Sequence, residues 1–226
     1  MDEAEGARWW YRALHARLCA RLAAIKGPIL DAGCGTGGLL ARLGAGDLYG
    51  LEYAEDAATR AGAKSSARIT RGTVNAMPFA DAGFAAVVSA DVLCHAAVEP
   101  ATALAEFHRV LRPGGLLVVN LPSYQWLASA HDRRVHNARR STAGLVRAEL
   151  AAAGFTHIHV RYWNFLLLPL MVLQRKLLAS ADDAASDVAA FPPWLDAMLF
   201  AVTELERALS CPWPAGGSIL ATAVRA

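Results

Sequence analysis

Residues able to do chemistry collect around one stretch near the start of this chain of 226 residues. The apolar run Pro28–Leu30 leads into Asp31, and four glycines follow before Leu39 and Leu40. Such a run indicates a buried strand, and the two leucines indicate the start of a helix. Glycine lets the backbone approach a ligand closely, and the free amides at a helix N-terminus attract polar groups. The order of strand, glycine loop and helix therefore predicts a cradle for a nucleotide-containing ligand.

The glycine spacing fits two classes of ligand. Gly33, Gly35 and Gly38 match the G-x-G-x-x-G pattern of dinucleotide sites, whereas Asp31 heads an acid-led D-x-G-x-G-x-G loop. A carboxylate at this place repels a pyrophosphate but attracts a sulfonium or ammonium group, which favours S-adenosylmethionine over NAD. Glu52 ends the next apolar run, where its oxygens would accept hydrogen bonds from ribose hydroxyls. Both ligands contain ribose, so Glu52 does not distinguish between them.

The elements that must position these residues alternate between strand and helix. Apolar runs predict further strands at 48–52, 67–71, 84–90, 116–120, 156–162 and 218–224. An amphipathic helix is predicted over about residues 4–25, before the first strand. The length suits one well-buried α/β domain, which we expect to span residues 1–226.

Composition and charge argue against several classes of protein. Hydrophobic residues make up 55% of the chain and charged residues 19%, which is typical of a globular fold. The net charge of +2 gives no reason to expect a nucleic-acid partner. The four cysteines lack C-x-x-C spacing, and the acidic N-terminus lacks the features of a secretory signal. We therefore expect a cytoplasmic protein with reduced thiols, as a monomer or homodimer.

Successive motifs resemble those of the class I S-adenosylmethionine-dependent methyltransferases. They are Ile29–Leu40, Tyr49–Tyr53, Asn75–Phe79 and Leu111–Gly115, and the similarity extends from about Trp9 to Arg161. The resemblance implies an α/β fold with a doubly wound, Rossmann-like sheet of seven strands, the last of them antiparallel. It also implies a lid helix at 1–26, a substrate-side insertion at 121–140 and a helical insertion at 163–212. S-adenosylmethionine, converted to S-adenosylhomocysteine, would lie across the carboxyl ends of the first strands.

The resemblance also implies roles for individual residues. Arg12, on the lid helix, would meet the methionine carboxylate of the cofactor in a bidentate contact. Asn75 would hydrogen-bond the adenine, and Met77 would lie against the ring face or pack in the core. Asp91, after the fourth strand, would lie near the methionine part. The complete set of expected cofactor contacts is Tyr11, Arg12, Asp31, Gly33, Gly35, Glu52, Tyr53, Asn75, Ala76, Met77 and Asp91.

Three histidines are candidate proton acceptors. His95 follows the fourth strand, and His131 and His136 lie in the segment after the fifth. Imidazole titrates near neutral pH, so any of them could take the proton of an acceptor hydroxyl. No set of ligands with metal-binding spacing appears, and we expect no metal.

Two segments bear on the methyl acceptor. Residues 133–140 contain four arginines, which suit an anionic group, although a solvated face with internal pairs to Asp132 is the favoured alternative because exposed charge clusters are common. The apolar run 163–173 is too short to span a membrane. It would pack in the core or a dimer surface, line a substrate pocket, or dock on a bilayer. An acceptor with an anionic head and an apolar tail would use both segments.

Three functions follow from these observations. The first is methyl transfer from S-adenosylmethionine to an oxygen, nitrogen or carbon atom of a small molecule. The second is an NAD(P)-dependent oxidoreductase, which rests on the overlapping G-x-G-x-x-G pattern alone. The third is a partner protein that binds S-adenosylmethionine without catalysis.

Overall fold

The computed structural model describes residues 8–175, 191–209 and 211–226, apart from the side chain of His131. Its helices are α1 (Trp9–Leu22), α2 (Gly38–Leu43), α3 (Glu55–Lys64), α4 (Pro100–Val110), α5 (Ala130–Arg134), α6 (Ala143–Ala152), α7 (Leu168–Leu173) and α8 (Pro193–Leu209). Its strands are β1 (Ile29–Ala32), β2 (Leu48–Glu52), β3 (Arg68–Arg71), β4 (Phe84–Ala90), β5 (Leu111–Pro122), β6 (Phe155–Trp163) and β7 (Ser218–Arg225). A short 3₁₀ helix covers Gln125–Leu127.

The seven strands form one sheet in the order β3-β2-β1-β4-β5-β7-β6. Strands β1 to β5 pair in parallel, and β7 is antiparallel to both β5 and β6. The predicted doubly wound, seven-stranded sheet with an antiparallel last strand is confirmed. Strand order reverses between β1 and β4, and ligands of such open sheets bind outside the carboxyl ends of the strands at this reversal.

Two clusters of buried apolar side chains cover the faces of the sheet. On one face, Leu104 and Phe107 of α4 pack on the central strands. On the other, Leu14 and Leu18 of α1 pack together with Leu40 of α2. The predicted N-terminal helix is thus docked beside the helix that follows the glycine loop, which places its outer end over that loop.

Buried charges attach the C-terminal helix to this arrangement. The guanidinium of Arg17 on α1 donates to the carbonyl of Thr203 on α8 at 2.7 Å and lies over the Trp163 ring at 4.4 Å. The carboxylate of Glu206 on α8 accepts from the amides of Asn164 at 2.5 Å and Phe165 at 2.7 Å. Hydrogen bonds to a charged group stabilise more than neutral ones, so these contacts fix α1, α8 and the end of β6 relative to one another.

The structure departs from the sequence prediction in two places. Strand β5 begins at Leu111, earlier than predicted, because Leu111 already pairs with Phe84 before an irregularity in the register. The apolar run 163–173 is divided between the end of β6, a turn and the short helix α7. Within the described ranges, no helix has the length and hydropathy to cross a membrane. The predicted polar linker at 179–190 lies outside the described residues, as do residues 1–7 of the lid segment.

Candidate active site

A cavity of about 760 Å³ opens at the carboxyl ends of β1 and β4. Its walls come from the glycine loop, helix α1, the turn after β4, the segment 132–140, helix α7 and the start of α8. The volume lies in the range of small-molecule sites. Segments that are distant in sequence therefore share one enclosed space.

The glycine loop is shaped for close approach. Gly33 has a φ of +90°, and a Cβ placed there would lie 2.3 Å from the side chain of Val92. The amide of Gly35 donates to Oε2 of Glu52 at 2.9 Å, and Oε1 of Glu52 accepts from the amide of Ala54 at 2.9 Å. Asp31 is buried and lines the cavity. A side chain at position 33 would therefore push into the turn after β4.

The contacts of Glu52 add a structural role to its predicted one. Both of its oxygens hold backbone amides of the loops around the cradle. A carboxylate oxygen can accept more than one hydrogen bond, so the predicted contact with ribose hydroxyls stays a prediction. The neighbouring Tyr53 is 77% exposed and is not among the described residues that line the cavity.

The loop expected to hold adenine is occupied by internal contacts. Asn75 donates through Nδ2 to the carbonyl of Ala97 and accepts through Oδ1 from the amide of Glu99, both at 3.0 Å. Met77 is buried in the core, and its amide donates to Glu106. Ala76 is exposed. The core alternative for Met77 is therefore correct, because its apolar side chain fills the space beneath the sheet instead of facing the cavity.

Helix α1 places one of its two predicted residues on the cavity wall. Tyr11 lines the cavity as expected. His15, which was not predicted, lines it as well, and burial lowers its pKa to about 4, so the ring is neutral. The predicted contact of Arg12 with the methionine carboxylate stays a prediction, because the guanidinium has other partners in this structure. The Arg12 guanidinium lies 3.9 Å from the centre of the Phe200 ring and 3.5 Å from Asp196. The two contacts turn it toward α8 and away from the cavity.

Asp91 lines the cavity in a left-handed conformation, with a φ of +55°. Its Oδ1 accepts from Nδ2 of Asn120 at 2.9 Å, and Oδ1 of Asn120 accepts from Nε1 of Trp163 at 2.9 Å. Burial raises the pKa of Asp91 to about 7. Sequence reasoning missed Asn120 and Trp163, although a polar residue that ends the apolar run 116–119 was a usable signal.

The structure brings two of the three candidate histidines together. His95 lines the cavity, and its ring centre lies 5.9 Å from that of His136, which is exposed. His131 lies on α5, but its side chain is outside the described residues. His95 is thus the one described candidate histidine that lines the cavity.

Two of the four arginines in residues 133–140 form ion pairs with carboxylates of the same chain. Arg140 forms two hydrogen bonds with Asp132, at 3.0 and 2.9 Å, and both side chains are 5% exposed. Arg139 forms two with Glu149, each at 2.9 Å. The alternative of an internal pair with Asp132 is correct for Arg140, whereas Arg139 pairs with Glu149, which was not predicted. Both pairs hold the segment 132–140 beside the cavity. Other arginines line the same space, namely Arg8, Arg134 and Arg175.

Comparison with known families gives one match. A family model described as "Methyltransferase domain" matches residues 30–119, which include the glycine loop and run to the end of β5. The chain is 36% identical over 107 residues to an uncharacterized 37.1 kDa protein in transposon TN4556 of Streptomyces fradiae, covering 43% of this chain and 31% of that protein. It is 30% identical over 139 residues to a "Putative methyltransferase" of Encephalitozoon cuniculi, covering 60% of this chain and 61% of that protein. The chain thus spans less than two thirds of either relative.

Solved structures share the fold at low identity. A SAM-dependent methyltransferase from Thermotoga maritima has a TM-score of 0.63 and 17% identity, covering 96% of this chain and 91% of that one. The geranyl diphosphate C-methyltransferase of Streptomyces coelicolor has a TM-score of 0.62 and 14% identity, covering 96% and 78%. Phosphoethanolamine N-methyltransferase 2 of Haemonchus contortus has a TM-score of 0.61 and 19% identity, covering 96% and 52%. The chain therefore has the fold of the class I S-adenosylmethionine-dependent methyltransferases, and the resemblance in its motifs is confirmed.

Proposed function

We propose that this chain transfers a methyl group from S-adenosylmethionine to a small-molecule acceptor and releases S-adenosylhomocysteine. One observation carries the proposal: the acid-led glycine loop and the turn after β4, with Asp91 and His95, face the same cavity. The family match over residues 30–119 and the shared fold support it. The geranyl diphosphate and phosphoethanolamine enzymes act on small molecules, which favours the same class of acceptor here.

The glycine loop fits the cofactor better than it fits a dinucleotide. The buried Asp31 carboxylate at the end of β1 suits a positive charge beside it and would repel a pyrophosphate. When bound, the cofactor supplies a methyl group already activated by its sulfonium. We expect Tyr11 to close over it from helix α1, and Glu52 to hold the loop and accept from ribose hydroxyls. Asn75 keeps one N–H and one lone pair of Oδ1 beyond its contacts with Ala97 and Glu99, so its expected contact with adenine is part of the proposal, as is that of Met77.

The protein's own contribution is positioning and exclusion of water. Methyl transfer requires the acceptor atom, the methyl carbon and the leaving sulfur to be held in line. Helix α1 and the segment 132–140 close two sides of the cavity and limit the access of water. The buried Asp132–Arg140 pair keeps that segment in place.

The cavity wall supports an acceptor with an anionic head and an apolar tail. Leu167, just before helix α7, and Leu170 and Met171 on it line the cavity, as do Arg134 and Arg175. Guanidinium groups bind carboxylate and phosphate oxygens, and the apolar side chains would cover a hydrocarbon part. Neutral small polyols that turn over better than such amphipathic molecules would contradict this choice of acceptor.

Thermal unfolding with added ligands tests the cofactor. A ligand at a hundred times its dissociation constant stabilises the folded state by about 2.7 kcal/mol. For a chain of this length, the midpoint should then rise by roughly 5–10 °C. We expect this rise with S-adenosylhomocysteine and S-adenosylmethionine and none with NADH. A rise with NADH alone would favour the oxidoreductase, and cofactor binding without turnover of any acceptor would favour a non-catalytic partner protein.

A further inference from the structure

The carboxylate of Asp91 is held in one orientation by two successive hydrogen bonds, of which the one between Trp163 and Asn120 is buried. An indole N–H can only donate, so Oδ1 of Asn120 must face Trp163. The amide NH2 of Asn120 is thereby directed at Oδ1 of Asp91. Asn120 is fully buried and Trp163 is nearly so, which leaves the amide no room to turn over. Asn120 thus binds one carboxylate oxygen of Asp91, and Asp91 also lines the cavity.

Asp91 lies between the cofactor cradle and the acceptor side of the cavity. The side chain of the next residue, Val92, occupies the space over Gly33, so this turn touches the cradle directly. On the other side, Sγ of Cys94 donates to Oδ1 of Asn137 at 3.2 Å, and His95 and Asn137 form a backbone bridge. A group at this junction is placed to meet the acceptor atom at the moment of transfer.

The surroundings leave the Asp91 carboxyl able to take up and release a proton near neutral pH. Burial raises its pKa to about 7, and Asp132 acts in the same direction, against Asn120 and Arg140. Cys94 lies beside Asp91, and the cavity wall carries further titratable or charged groups, namely Arg8, Tyr11, His15, Asp31, Cys34, His95, Arg134 and Arg175. Burial raises the pKa of Cys94 and lowers that of His15, so both are neutral at pH 7. A proton acceptor works best when its pKa lies near the working pH.

We infer that Asp91 is the proton acceptor of the transfer, that Asn120 and Trp163 are its positioning residues, and that the methyl acceptor is a hydroxyl or ammonium group, which becomes the nucleophile by losing its proton. The inference rests on the proposed function and changes the expected role of Asp91 from a cofactor contact to a catalytic residue. The O–H or N–H bond of the acceptor breaks, and its proton passes to the carboxylate. The electron pair left on oxygen or nitrogen forms the bond to the methyl carbon. The electron pair of the broken carbon–sulfur bond stays on sulfur.

The first test separates a catalytic role from cofactor binding. Calorimetric titration with S-adenosylhomocysteine should give affinities within about threefold for the wild type and Asp91→Asn, because the proton acceptor acts on the acceptor molecule. The matched control is Asp56→Asn, the same change on α3 away from the cavity. A tenfold or greater loss in Asp91→Asn alone would overturn the inference and return Asp91 to the cofactor contacts.

The second test follows the proton. Carbon-13 NMR of labelled aspartate carboxyls, assigned by the signal missing in Asp91→Asn, should show a titration midpoint at about pH 7. Asn120→Leu should move this midpoint upward, because the hydrogen bond from Asn120 favours the ionised form. A midpoint below pH 5 in the wild type, or no change in Asn120→Leu, would overturn the inference. A wild type that fails to bind S-adenosylhomocysteine would instead overturn the proposed function as a whole.

The third test measures transfer with matched probes. 3-Hydroxydecanoate and 3-aminodecanoate carry a protic nucleophile, and decanoate lacks one. For a probe that turns over, Asp91→Asn should lower kcat about a hundredfold or more and leave the KM for S-adenosylmethionine unchanged. The wild-type kcat should rise with pH through about 7 and the midpoint should shift upward in Asn120→Leu. Equal kcat in Asp91→Asn and the wild type would overturn the inference.

Discussion

The two sides of the cavity are built in different ways. The cofactor side is a continuous piece of backbone, in which Asp31, Gly33 and Gly35 follow one another and Glu52 secures the loop. The acceptor side is assembled from side chains far apart in the sequence, such as His95, Arg134 and Met171. The glycine loop can be predicted from the spacing of neighbouring residues. The acceptor side depends on tertiary contacts between residues that are distant in the sequence.

The largest stability effect should come from the acceptor side, where Arg140→Met leaves the buried Asp132 without its partner. Removing one member of a buried pair costs about 3–5 kcal/mol. Arg139→Met breaks a geometrically similar pair with Glu149, in which the side chains are 28% and 23% exposed, and should cost about 1 kcal/mol or less. Urea unfolding of both variants measures the difference. Equal losses would mean that burial does not separate these two pairs.

A substitution in the glycine loop should act mainly on cofactor binding. Gly33→Ala combines a φ of +90° with a contact at 2.3 Å to Val92, so the loop must shift. We expect the affinity for S-adenosylhomocysteine to fall at least thirtyfold, or about 2 kcal/mol. Gly144→Ala is the matched control, since a Cβ there meets no atom within 4 Å. Calorimetry should show an unchanged affinity in the control. An unchanged affinity in Gly33→Ala would mean that the glycine loop does not bind the cofactor.

The pH dependence of stability should show two opposing contributions from the cavity wall. The folded pKa of His15 is lowered to about 4, so its contribution is present above about pH 6.5 and is lost as the pH falls toward 4. The folded pKa of Asp91 is raised to about 7, so its contribution is present below about pH 4 and is lost as the pH rises through 7. Asp91→Asn should therefore increase the free energy of unfolding at pH 8 by about 1–3 kcal/mol.

Urea unfolding of the wild type and Asp91→Asn at pH 5 and pH 8 measures this contribution. The gain should be larger at pH 8, and Asp56→Asn should show no such dependence. A gain of the same size at both values would mean that ionisation of Asp91 does not cost the folded state any stability.

The smallest effect is expected for Arg12→Ala, which tests whether Arg12 on helix α1 contacts the cofactor. Arg12 stacks on Phe200 and lies near Asp196, outside the cavity. Arg12→Ala should change the affinity for S-adenosylhomocysteine by less than about threefold and lower the free energy of unfolding by about 0.5–1 kcal/mol. A tenfold loss of affinity would show that Arg12 moves into the cavity when the cofactor binds.

The same contrast explains how far the sequence could predict the structure. Periodicity predicted the strands and helices along the chain, the resemblance to the methyltransferases implied the seven-stranded sheet, and the motif at residues 29–40 predicted the cradle. Local spacing could not show that Arg12 would turn to α8, because Phe200 and Asp196 are distant in sequence. It could not show that Asn75 would bond the backbone at 97 and 99, or that Asp132 and Glu149 would fill the forks of Arg140 and Arg139. Asn120 was missed because its importance comes from Trp163 and Asp91 on neighbouring elements.

A crystal structure of the chain with S-adenosylhomocysteine tests the central claim most directly. The account predicts the ligand between the glycine loop and helix α1, with its amino-acid part beside Asp31 and Gly33 and its sulfur facing the space between Asp91 and His95. The second oxygen of Asp91 should remain open to an acceptor. A ligand bound elsewhere, or one whose ammonium group takes both oxygens of Asp91, would contradict the account.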